Sequence, residues 1–300
     1  MKEFLVISGK GGTGKTSITA AFAALASNIV IADCDVDAAN LHMLLQTLTN
    51  QTEDFIGSQK AIIDPERCTN CGICEDRCRF GAIEGTGTHR VVDSMSCEGC
   101  GVCHLVCPEG AITLGEHVSG QWLLSDTRYG PLVHAQLGIA EENSGKLVAK
   151  VRGEAQRIAA KESAEYILID GPPGTGCPVI SSISGVDLAL IVTEPTVAGL
   201  HDLARVSQLA DHFGVPAMVC INKFDLDETH TDKIESYCHQ HGIEVAGRIP
   251  FDKQVVYALI KGLPAVDDHA DSRTTSESSA SKAIQDVWQT VLHRLEALPS

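Results

Sequence analysis

Positive charge is scarce in this sequence. Its 300 residues include 23 lysines and arginines against 39 aspartates and glutamates, which gives a formal net charge of −16. Nucleic acids and anionic membrane surfaces repel a surface with this charge. We therefore expect neither nucleic acid nor membrane to be the main partner.

Long apolar runs and a leader sequence are also lacking. No apolar run is long enough to span a bilayer. The start, Met1–Ile7, has neither the charged region nor the small-residue cleavage site of a signal peptide. We therefore expect a cytoplasmic protein, in which the 12 cysteines do not form a disulfide framework.

An apolar stripe at helical spacing runs near the C-terminus. It consists of Ile284, Val287, Trp288, Val291, Leu292 and Leu295. Helices that lie on membrane surfaces carry a basic border, which this stripe lacks. We expect it to pack against the protein core.

Short, continuously apolar runs predict the fold. They comprise residues 5–7, 29–32, 166–169, 188–192 and 217–221. Helical patterns alternate with them, including residues 16–27 and the leucines of 41–48. Fully buried strands separated by helices are typical of a parallel sheet covered by helices on both sides. We predict an α/β fold with a mainly parallel sheet.

One segment interrupts this alternation. Residues 59–118 contain many glycines and cysteines and have a poor helical pattern. We interpret them as an inserted domain of α+β type. Residues 1–58 and 119–300 then return to one sheet as a single discontinuous domain.

A phosphate-binding loop follows the first apolar run. The sequence GKGGTGKT at residues 9–16 satisfies the G-x-x-x-x-G-K-[ST] pattern between a strand and a helix, which favours a P-loop NTPase over a simple glycine-rich turn. In such loops the lysine, Lys15, reaches the β- and γ-phosphates and the hydroxyl of Thr16 binds Mg²⁺. The predicted nucleotide-binding residues of the loop are Gly9, Lys10, Gly11, Gly12, Thr13, Gly14, Lys15, Thr16 and Ser17.

The additional lysine at position 10 gives this loop a special form. GKGGTGKT resembles the deviant Walker A motif of the MinD/ParA/Mrp superfamily and of the nitrogenase iron protein. In those families the early lysine crosses a dimer interface to the partner's nucleotide. The resemblance implies catalytic roles for Lys10 and Lys15 in a homodimer, or in a heterodimer with a similar ATPase. The alternative for Lys10 is a solvated loop charge.

Two acidic segments extend the resemblance. Asp35, with Asn40 after it, is similar to the first switch of the superfamily, where this aspartate orients the attacking water. Residues 167–174, ILIDGPPG, look like Walker B and the second switch, in which Asp170 would hold Mg²⁺ together with Thr16. Phosphoryl transfer needs mainly positioning and charge neutralisation, which such a set supplies. The alternative is that these aspartates only cap helices.

The predicted base-binding residues are compatible with either an adenine or a guanine nucleotide. Asn222–Asp225, NKFD, matches the N-K-x-D pattern that reads guanine in GTPases. In MinD-like ATPases the asparagine at this place contacts adenine. Pro250, Phe251 and Asp252 resemble their late adenine-side loop. We favour ATP, and GTP remains the alternative.

An internal duplication carries eight of the cysteines. The run Cys68-x2-Cys71-x2-Cys74-x3-Cys78 recurs 29 residues later as Cys97-x2-Cys100-x2-Cys103-x3-Cys107. This insert resembles bacterial ferredoxins with two [4Fe-4S] clusters, in which the fourth cysteine of each run ligates the other cluster. The resemblance implies one cluster on Cys68, Cys71, Cys74 and Cys107, and a second on Cys97, Cys100, Cys103 and Cys78. Two zinc sites with four cysteines each are the alternative. Arg79 stands where the second run has Pro108, so the two potentials are expected to differ.

Cys177 follows the second switch. The nitrogenase iron protein has a cluster-ligating cysteine at a comparable point, which implies a thiol near a dimer axis. The alternative is a small buried cysteine within a switch segment. Cys34, Cys220 and Cys238 are expected to be packing residues.

Three functions follow from these motifs. The first is an ATPase whose dimer switch gates electron transfer from the clusters to a redox protein partner. The second is an assembly factor for iron–sulfur or metal clusters. The third is a MinD-like regulatory ATPase in which the clusters sense redox state.

Overall fold

The computed structural model of the chain describes residues 1–138, 141, 144–267 and 278–299, which contain both strands and helices. The strands within these residues are β1 (Lys2–Ser8), β2 (Ile29–Asp33), β3 (Leu48–Ile63), β4 (Ile83–Gly85), β5 (Arg90–Val92), β6 (Ile112–Thr127), β7 (Gly130–Leu137), β8 (Tyr166–Pro173), β9 (Leu188–Thr193), β10 (Ala217–Asn222) and β11 (Glu244–Ile249). The helices are α1 (Lys15–Leu25), α2 (Leu41–Leu44), α3 (Ile73–Asp76), α4 (Val102–Val106), α5 (Ser144–Glu162), α6 (Cys177–Ile183), α7 (Val197–His212), α8 (Glu228–Gln240), α9 (Lys253–Ile260) and α10 (Ser279–Ala297).

Nine strands form one sheet in the order β11-β10-β9-β1-β8-β2-β7-β6-β3. The pairings from β11 through β7 are parallel. Each of the five apolar runs lies in one of these strands, and β9 is buried along its whole length. The predicted α/β fold with a mainly parallel sheet is therefore confirmed.

The apolar stripe of α10 packs against this sheet and α1. Trp288 is 4% exposed, and its ring centroid lies 5.1 Å from that of Phe22 and 6.3 Å from that of Phe4. Val287, Val291 and Leu295 belong to the same core. The predicted core packing of the stripe is confirmed.

The leucine pattern of residues 41–48 is helical for one turn only. The helix α2 ends at Leu44, and Leu48 already begins β3. The first residues of β3 are polar and mostly exposed, in keeping with its place at the end of the strand order. The expectation of a helix through residue 48 was wrong because a polar edge strand has no continuous apolar run.

The chain divides into two compact units. The first contains the described residues of Met1–Thr52, Trp122–Gln136 and Ser144–Ser300; the second contains those of Glu53–Gln121 and Leu137–Asn143. Within the second unit, β4 and β5 pair antiparallel. Its small core consists of Ala61, Cys74, Ile83, Cys103 and Ile112.

Across the part of the chain that the structure describes, no helix combines the length and the apolar character needed to cross a membrane.

Candidate functional site

The loop between β1 and α1 has the backbone shape of a phosphate-binding loop. Gly12 and Gly14 have φ angles of 83° and 88°, a region that residues with a Cβ rarely adopt. A Cβ on Gly14 would overlap Nδ2 of Asn222. Since α1 begins at Lys15, the loop ends at a helix N-terminus, where main-chain N–H groups and the helix dipole favour an anion.

Asp170 is the centre of a buried network at the start of α1. Its Oδ2 lies 3.0 Å from Nζ of Lys15 and accepts a hydrogen bond of 2.8 Å from Oγ1 of Thr16. Its Oδ1 accepts one of 2.7 Å from Oγ1 of Thr19. Thr19 was not predicted from the sequence, although it stands one helical turn after Thr16, a spacing that places both hydroxyls on a similar face.

Three carboxyl groups surround the ammonium group of Lys15. Oδ2 of Asp35 lies 3.7 Å from Nζ, and Asp33 stands beside Asp170 in the pairing of β2 with β8. Burial alone would lower the pKa of Lys15, but the charges of Asp170, Asp33 and Asp35 outweigh it and raise that pKa. Lys15 is therefore held as a cation.

The aspartates of the first switch are tied to β2. The carboxyl oxygens of Asp33 accept hydrogen bonds of 3.1 and 3.2 Å from the backbone N–H groups of Asp35 and Leu41. Burial raises the pKa of Asp33 to about 8, and the charge of Asp170 acts in the same direction. Burial also raises the pKa of Asp35. Crowded carboxyl oxygens are the ligands that Mg²⁺ prefers, so the donor set around Thr16 and Asp170 fits this ion.

A cavity of about 640 Å³ extends from the phosphate loop towards α9. Its lining includes Gly11, Gly12, Thr13, Gly14, Lys15, Thr16, Ser17, Asp35, Asn40, Asn222, Lys223, Pro250, Phe251 and Asp252. Oγ1 of Thr13 is buried and has no hydrogen-bond partner among the described residues. A buried hydroxyl without a partner costs free energy, which fits a polar ligand in this cavity.

The predicted base-binding residues Asn222, Pro250, Phe251 and Asp252 all belong to the cavity lining. Nδ2 of Asn222 donates a hydrogen bond of 2.7 Å to the carbonyl oxygen of Thr13. Oδ1 of Asp225 accepts one of 2.7 Å from the backbone N–H of Phe251. Asp252 caps α9 by accepting a hydrogen bond of 2.8 Å from the backbone N–H of Gln254. The carboxylates of this region therefore hold the loop before α9 in place.

Lys10 is not among the residues that line the cavity, and it pairs with an acidic residue of its own chain. Its Nζ lies 3.4 Å from Oε2 of Glu194, whose other oxygen lies 2.6 Å from Nζ of Lys223. Glu194 directly follows β9, at the same edge of the sheet as Asp33. Glu194 was not predicted from the sequence, although its position directly after a buried strand was an available signal.

The eight clustered cysteines line two separate cavities in the second unit. Cys68, Cys71, Cys74 and Cys107 line the first. Cys97, Cys100, Cys103 and Cys78 line the second. Each cavity thus has three cysteines of one run and the fourth cysteine of the other run.

The backbone of the two runs repeats as their sequences do. Left-handed φ angles occur at three pairs of positions 29 residues apart: Asn70 and Gly99 (57° and 64°), Gly72 and Gly101 (83° and 76°), and Gly81 and Gly110 (63° and 55°). A Cβ on Gly99 would overlap the carbonyl oxygen of Gln59. Both cysteine loops are therefore held in one shape.

Each fourth cysteine also receives the same hydrogen bond. The backbone N–H of Ala82 donates to Sγ of Cys78 at 3.4 Å, and that of Ala111 donates to Sγ of Cys107 at 3.3 Å. N–H donors to sulfur are typical of iron–sulfur sites. Among the described residues, no three or more His, Cys, Asp or Glu side chains stand as a single metal ion requires. Four thiols at each cavity are the kind and number of protein ligands that a [4Fe-4S] cluster takes.

The remaining cysteines divide into two classes. Cys34, Cys220 and Cys238 are buried, as predicted for packing residues. Cys177 is exposed at the start of α6, so the alternative of a small buried cysteine at this place was wrong.

Comparison with known proteins agrees with the geometry of the first unit. The model of the CobQ/CobB/MinD/ParA nucleotide binding domain matches residues 4–265. The uncharacterised protein MJ0578 of Methanocaldococcus jannaschii is 33% identical over 290 residues, covering 96% of this chain and 95% of that protein.

Two solved structures share the fold. MinD of Pyrococcus horikoshii, complexed with Mg-ADP, has 18% identity and a TM-score of 0.56, and the match covers 99% of this chain and 98% of that one. MinD of Aquifex aeolicus, in a MinC:MinD complex, has 21% identity and a TM-score of 0.57, with coverage of 100% and 98%. From the family match and the phosphate loop together, the chain belongs to the CobQ/CobB/MinD/ParA family of nucleotide-binding domains.

Proposed function

We propose that the chain is an ATP-hydrolysing dimeric switch that couples its nucleotide state to electron transfer through two [4Fe-4S] clusters to a protein partner. One observation carries the proposal: a phosphate-loop site and two cavities with four cysteines each occur in the same chain. The domain around residues 59–118 is then a ferredoxin-type insert in a nucleotide-binding domain.

The hydrolysis site uses residues that already stand together. Lys15 neutralises charge on the β- and γ-phosphates, and Asp35, 3.7 Å from it, holds the attacking water. Thr16 and Asp170 would hold Mg²⁺, which supplies further charge neutralisation when it is bound. The γ-phosphate orders the segments after Asp33 and Asp170 until its cleavage releases them.

The preference for ATP over GTP is supported by Asp225. A guanine-reading aspartate needs a free carboxylate for the base, but Oδ1 of Asp225 accepts a hydrogen bond from the backbone N–H of Phe251. Nδ2 of Asn222, at the cavity lining, donates one hydrogen to the carbonyl oxygen of Thr13, so its second hydrogen is the donor for adenine. The complex of the MinD relative with Mg-ADP agrees with an adenine nucleotide.

The clusters would be held by the cysteines of the two cavities. Thiolates are the protein ligands of such clusters, and nearby N–H donors tune their potential. The hydrogen bonds from Ala82 and Ala111 to Sγ of Cys78 and Cys107 supply donors of this kind. A bound cluster supplies one-electron redox chemistry to the partner protein.

A second candidate function is assembly of an iron–sulfur or metal cluster. The exposed thiol of Cys177 favours it, because a thiol that hands on iron must be reachable by a partner. Transfer of labile iron that Cys177→Ser abolishes, without loss of the eight tightly bound irons, would favour this candidate over electron transfer.

The test is anaerobic ATP hydrolysis by the iron-replete protein, with the clusters first oxidised and then reduced. We expect a rate that changes with redox state and a cluster spectrum that shifts when nucleotide is added. Cys107→Ser should remove the redox dependence, whereas Cys220→Ser, a buried packing cysteine, should keep it. Equal rates and an unmoved spectrum would refute direct coupling. Bound zinc in place of iron would refute the clusters.

A further inference from the structure

Arg90, the first residue of β5, lies against one of the two cysteine cavities. It lines the cavity of Cys68, Cys71, Cys74 and Cys107. The backbone makes room for its guanidinium group. A Cβ on Gly72 would come within 2.9 Å of Nη2, and a Cβ on Gly85 would overlap Nη1. The two glycines therefore leave the space that the guanidinium group fills.

The charge of Arg90 is held between one carboxylate and the cavity. Nη1 lies 2.6 Å from Oε2 of Glu75, which is not among the residues that line the cavity. Nε of Arg90 is buried and has no hydrogen-bond partner among the residues that the structure describes. The guanidinium group thus lies at the cavity lining, and its buried Nε–H has no partner among the described residues.

The second cavity has a different environment, although the two arose by duplication. The position 29 residues after Arg90 is Ser119, which is not part of the second cavity lining. The basic residue in that lining is Arg77, whose side chain is exposed to solvent. Water and salt screen an exposed charge much more than a buried one.

We propose that Arg90, whose guanidinium group lies at the lining of the first cavity with an unpartnered Nε–H, would raise the reduction potential of a cluster held there and make this site the more easily reduced of the two. Reduction adds negative charge, which a cation and an N–H donor close to the sulfurs stabilise. The proposal rests on the proposed function, because it needs a cluster in each cavity.

The test is an anaerobic redox titration of the full-length iron-replete protein, followed by electron paramagnetic resonance. In the unchanged protein we expect two potentials. Arg90→Gln should lower the higher one by about tenfold in the reduction equilibrium constant, about 59 mV for a one-electron couple. Glu75→Gln should raise the same potential, since it removes the opposing charge. Arg77→Gln should leave it unchanged.

The outcomes separate this proposal from the one on which it rests. If the unchanged protein holds no [4Fe-4S] clusters, the proposed function fails first. If it holds two and Arg90→Gln shifts neither potential, or shifts both equally, the role of Arg90 is refuted. If the Arg90→Gln protein does not retain eight irons, the reduction potentials of Arg90→Lys and Glu75→Gln provide the test. Arg90→Lys keeps the charge and should lower the higher potential by less than Arg90→Gln, whereas Glu75→Gln should raise it. Shifts of opposite sign in these two variants support the proposal.

Discussion

At the scale of single residues, the nucleotide site depends on hydroxyl groups that anchor one carboxylate. Asp170 is completely buried, and its two oxygens accept hydrogen bonds from Thr16 and Thr19. A buried carboxylate that loses a donor keeps its desolvation cost. Thr19 contacts Asp170 from the middle of α1 and is not itself a residue of the nucleotide cavity lining, so it orients the carboxylate from outside that lining.

Removal of the Thr19 hydroxyl should therefore weaken the use of Mg²⁺. We expect Thr19→Val to raise the Mg²⁺ concentration for half-maximal ATP hydrolysis about tenfold, because one lost hydrogen bond to a charged group is worth about 1.5–3 kcal/mol. Thr19→Ser keeps the hydroxyl and should behave like the unchanged protein. An unaltered Mg²⁺ dependence of Thr19→Val, measured by steady-state hydrolysis, would contradict this role.

His134 of β7 makes the folded chain sensitive to acid. Its ring is buried, its Nε2 lies 2.9 Å from Oγ of Ser125, and it stacks on His42 at 5.5 Å. Burial lowers the pKa of His134 from 6.5 to about 4, and His42 adds to the effect. The unfolded chain thus binds a proton between these pH values that the folded chain does not bind.

The free energy of unfolding should have its full value above pH 6.5 and fall as the pH decreases from 6.5 through about 4. The two pKa values correspond to a loss of roughly 3 kcal/mol from His134. We expect His134→Gln to reduce the dependence of the unfolding free energy on pH, measured by urea unfolding from pH 7.5 to 5. His201→Gln, at a side chain that is 71% exposed, is the matched control and should keep this dependence. Parallel pH profiles for all three proteins would exclude His134 as the cause.

At the scale of secondary structure, α10 completes the core of the first unit. Its stripe buries Ile284, Val287, Trp288 and Val291, and the indole of Trp288 lies beside Phe22 and Phe4. Aromatic side chains contribute the largest buried apolar areas in such a core. The helix is therefore part of the nucleotide-binding domain rather than an appendage.

Truncation of Trp288 should be costly. We expect Trp288→Ala to reduce the free energy of unfolding by about 3–5 kcal/mol, the usual cost of emptying a buried aromatic site. Gln289→Ala changes the neighbouring exposed position and should alter stability by less than about 0.5 kcal/mol. Similar urea midpoints for the two variants would show that α10 contributes little to the core.

The strands that the sequence revealed and those that it hid differ in burial. The five central strands are apolar on both faces, so their runs were visible. In β7 the run is broken by His134, whose burial depends on Ser125 of β6. In β3 the polar residues 49–54 face solvent at the end of the strand order. Neither environment can be read from local sequence.

The candidate site shows the same division. The phosphate loop and the cysteine repeat were visible because their chemistry lies within short motifs. Glu194, Thr19 and Arg90 were missed because each acts through a contact with a residue distant in sequence or on another face. Such contacts are set by tertiary packing and not by spacing.

At the scale of the whole molecule, the proposed dimer depends on a lysine that is occupied within its own chain. Lys10 pairs with Glu194, which Lys223 also contacts. To reach a partner's nucleotide, Lys10 must leave Glu194. The negative charge of Glu194 then remains paired with the ammonium group of Lys223. Partly exposed ion pairs are weak, so this exchange costs little.

Lys10→Ala should separate nucleotide binding from assembly. Because Lys10 is not part of the cavity lining, we expect this variant to bind ATP within about fivefold of the unchanged protein, since a surface charge contributes at most about 1 kcal/mol. It should fail to form an ATP-dependent dimer and should lose hydrolysis. Light scattering with and without ATP, beside nucleotide titration, measures both. Lys15→Ala, which loses binding itself, is the comparison, and a Lys10→Ala dimer with normal turnover would contradict the cross-interface role.

The first of the two duplicated cysteine runs cannot replace the second without a change in the backbone. At one left-handed position the first half carries Asn70 and the second carries Gly99, where a Cβ would overlap the carbonyl oxygen of Gln59. A recombination event that copied the first half over the second would place asparagine there and displace that backbone. The two cysteine cavities are therefore inequivalent at this position, since Gly99 lines the second cavity and Asn70 does not line the first.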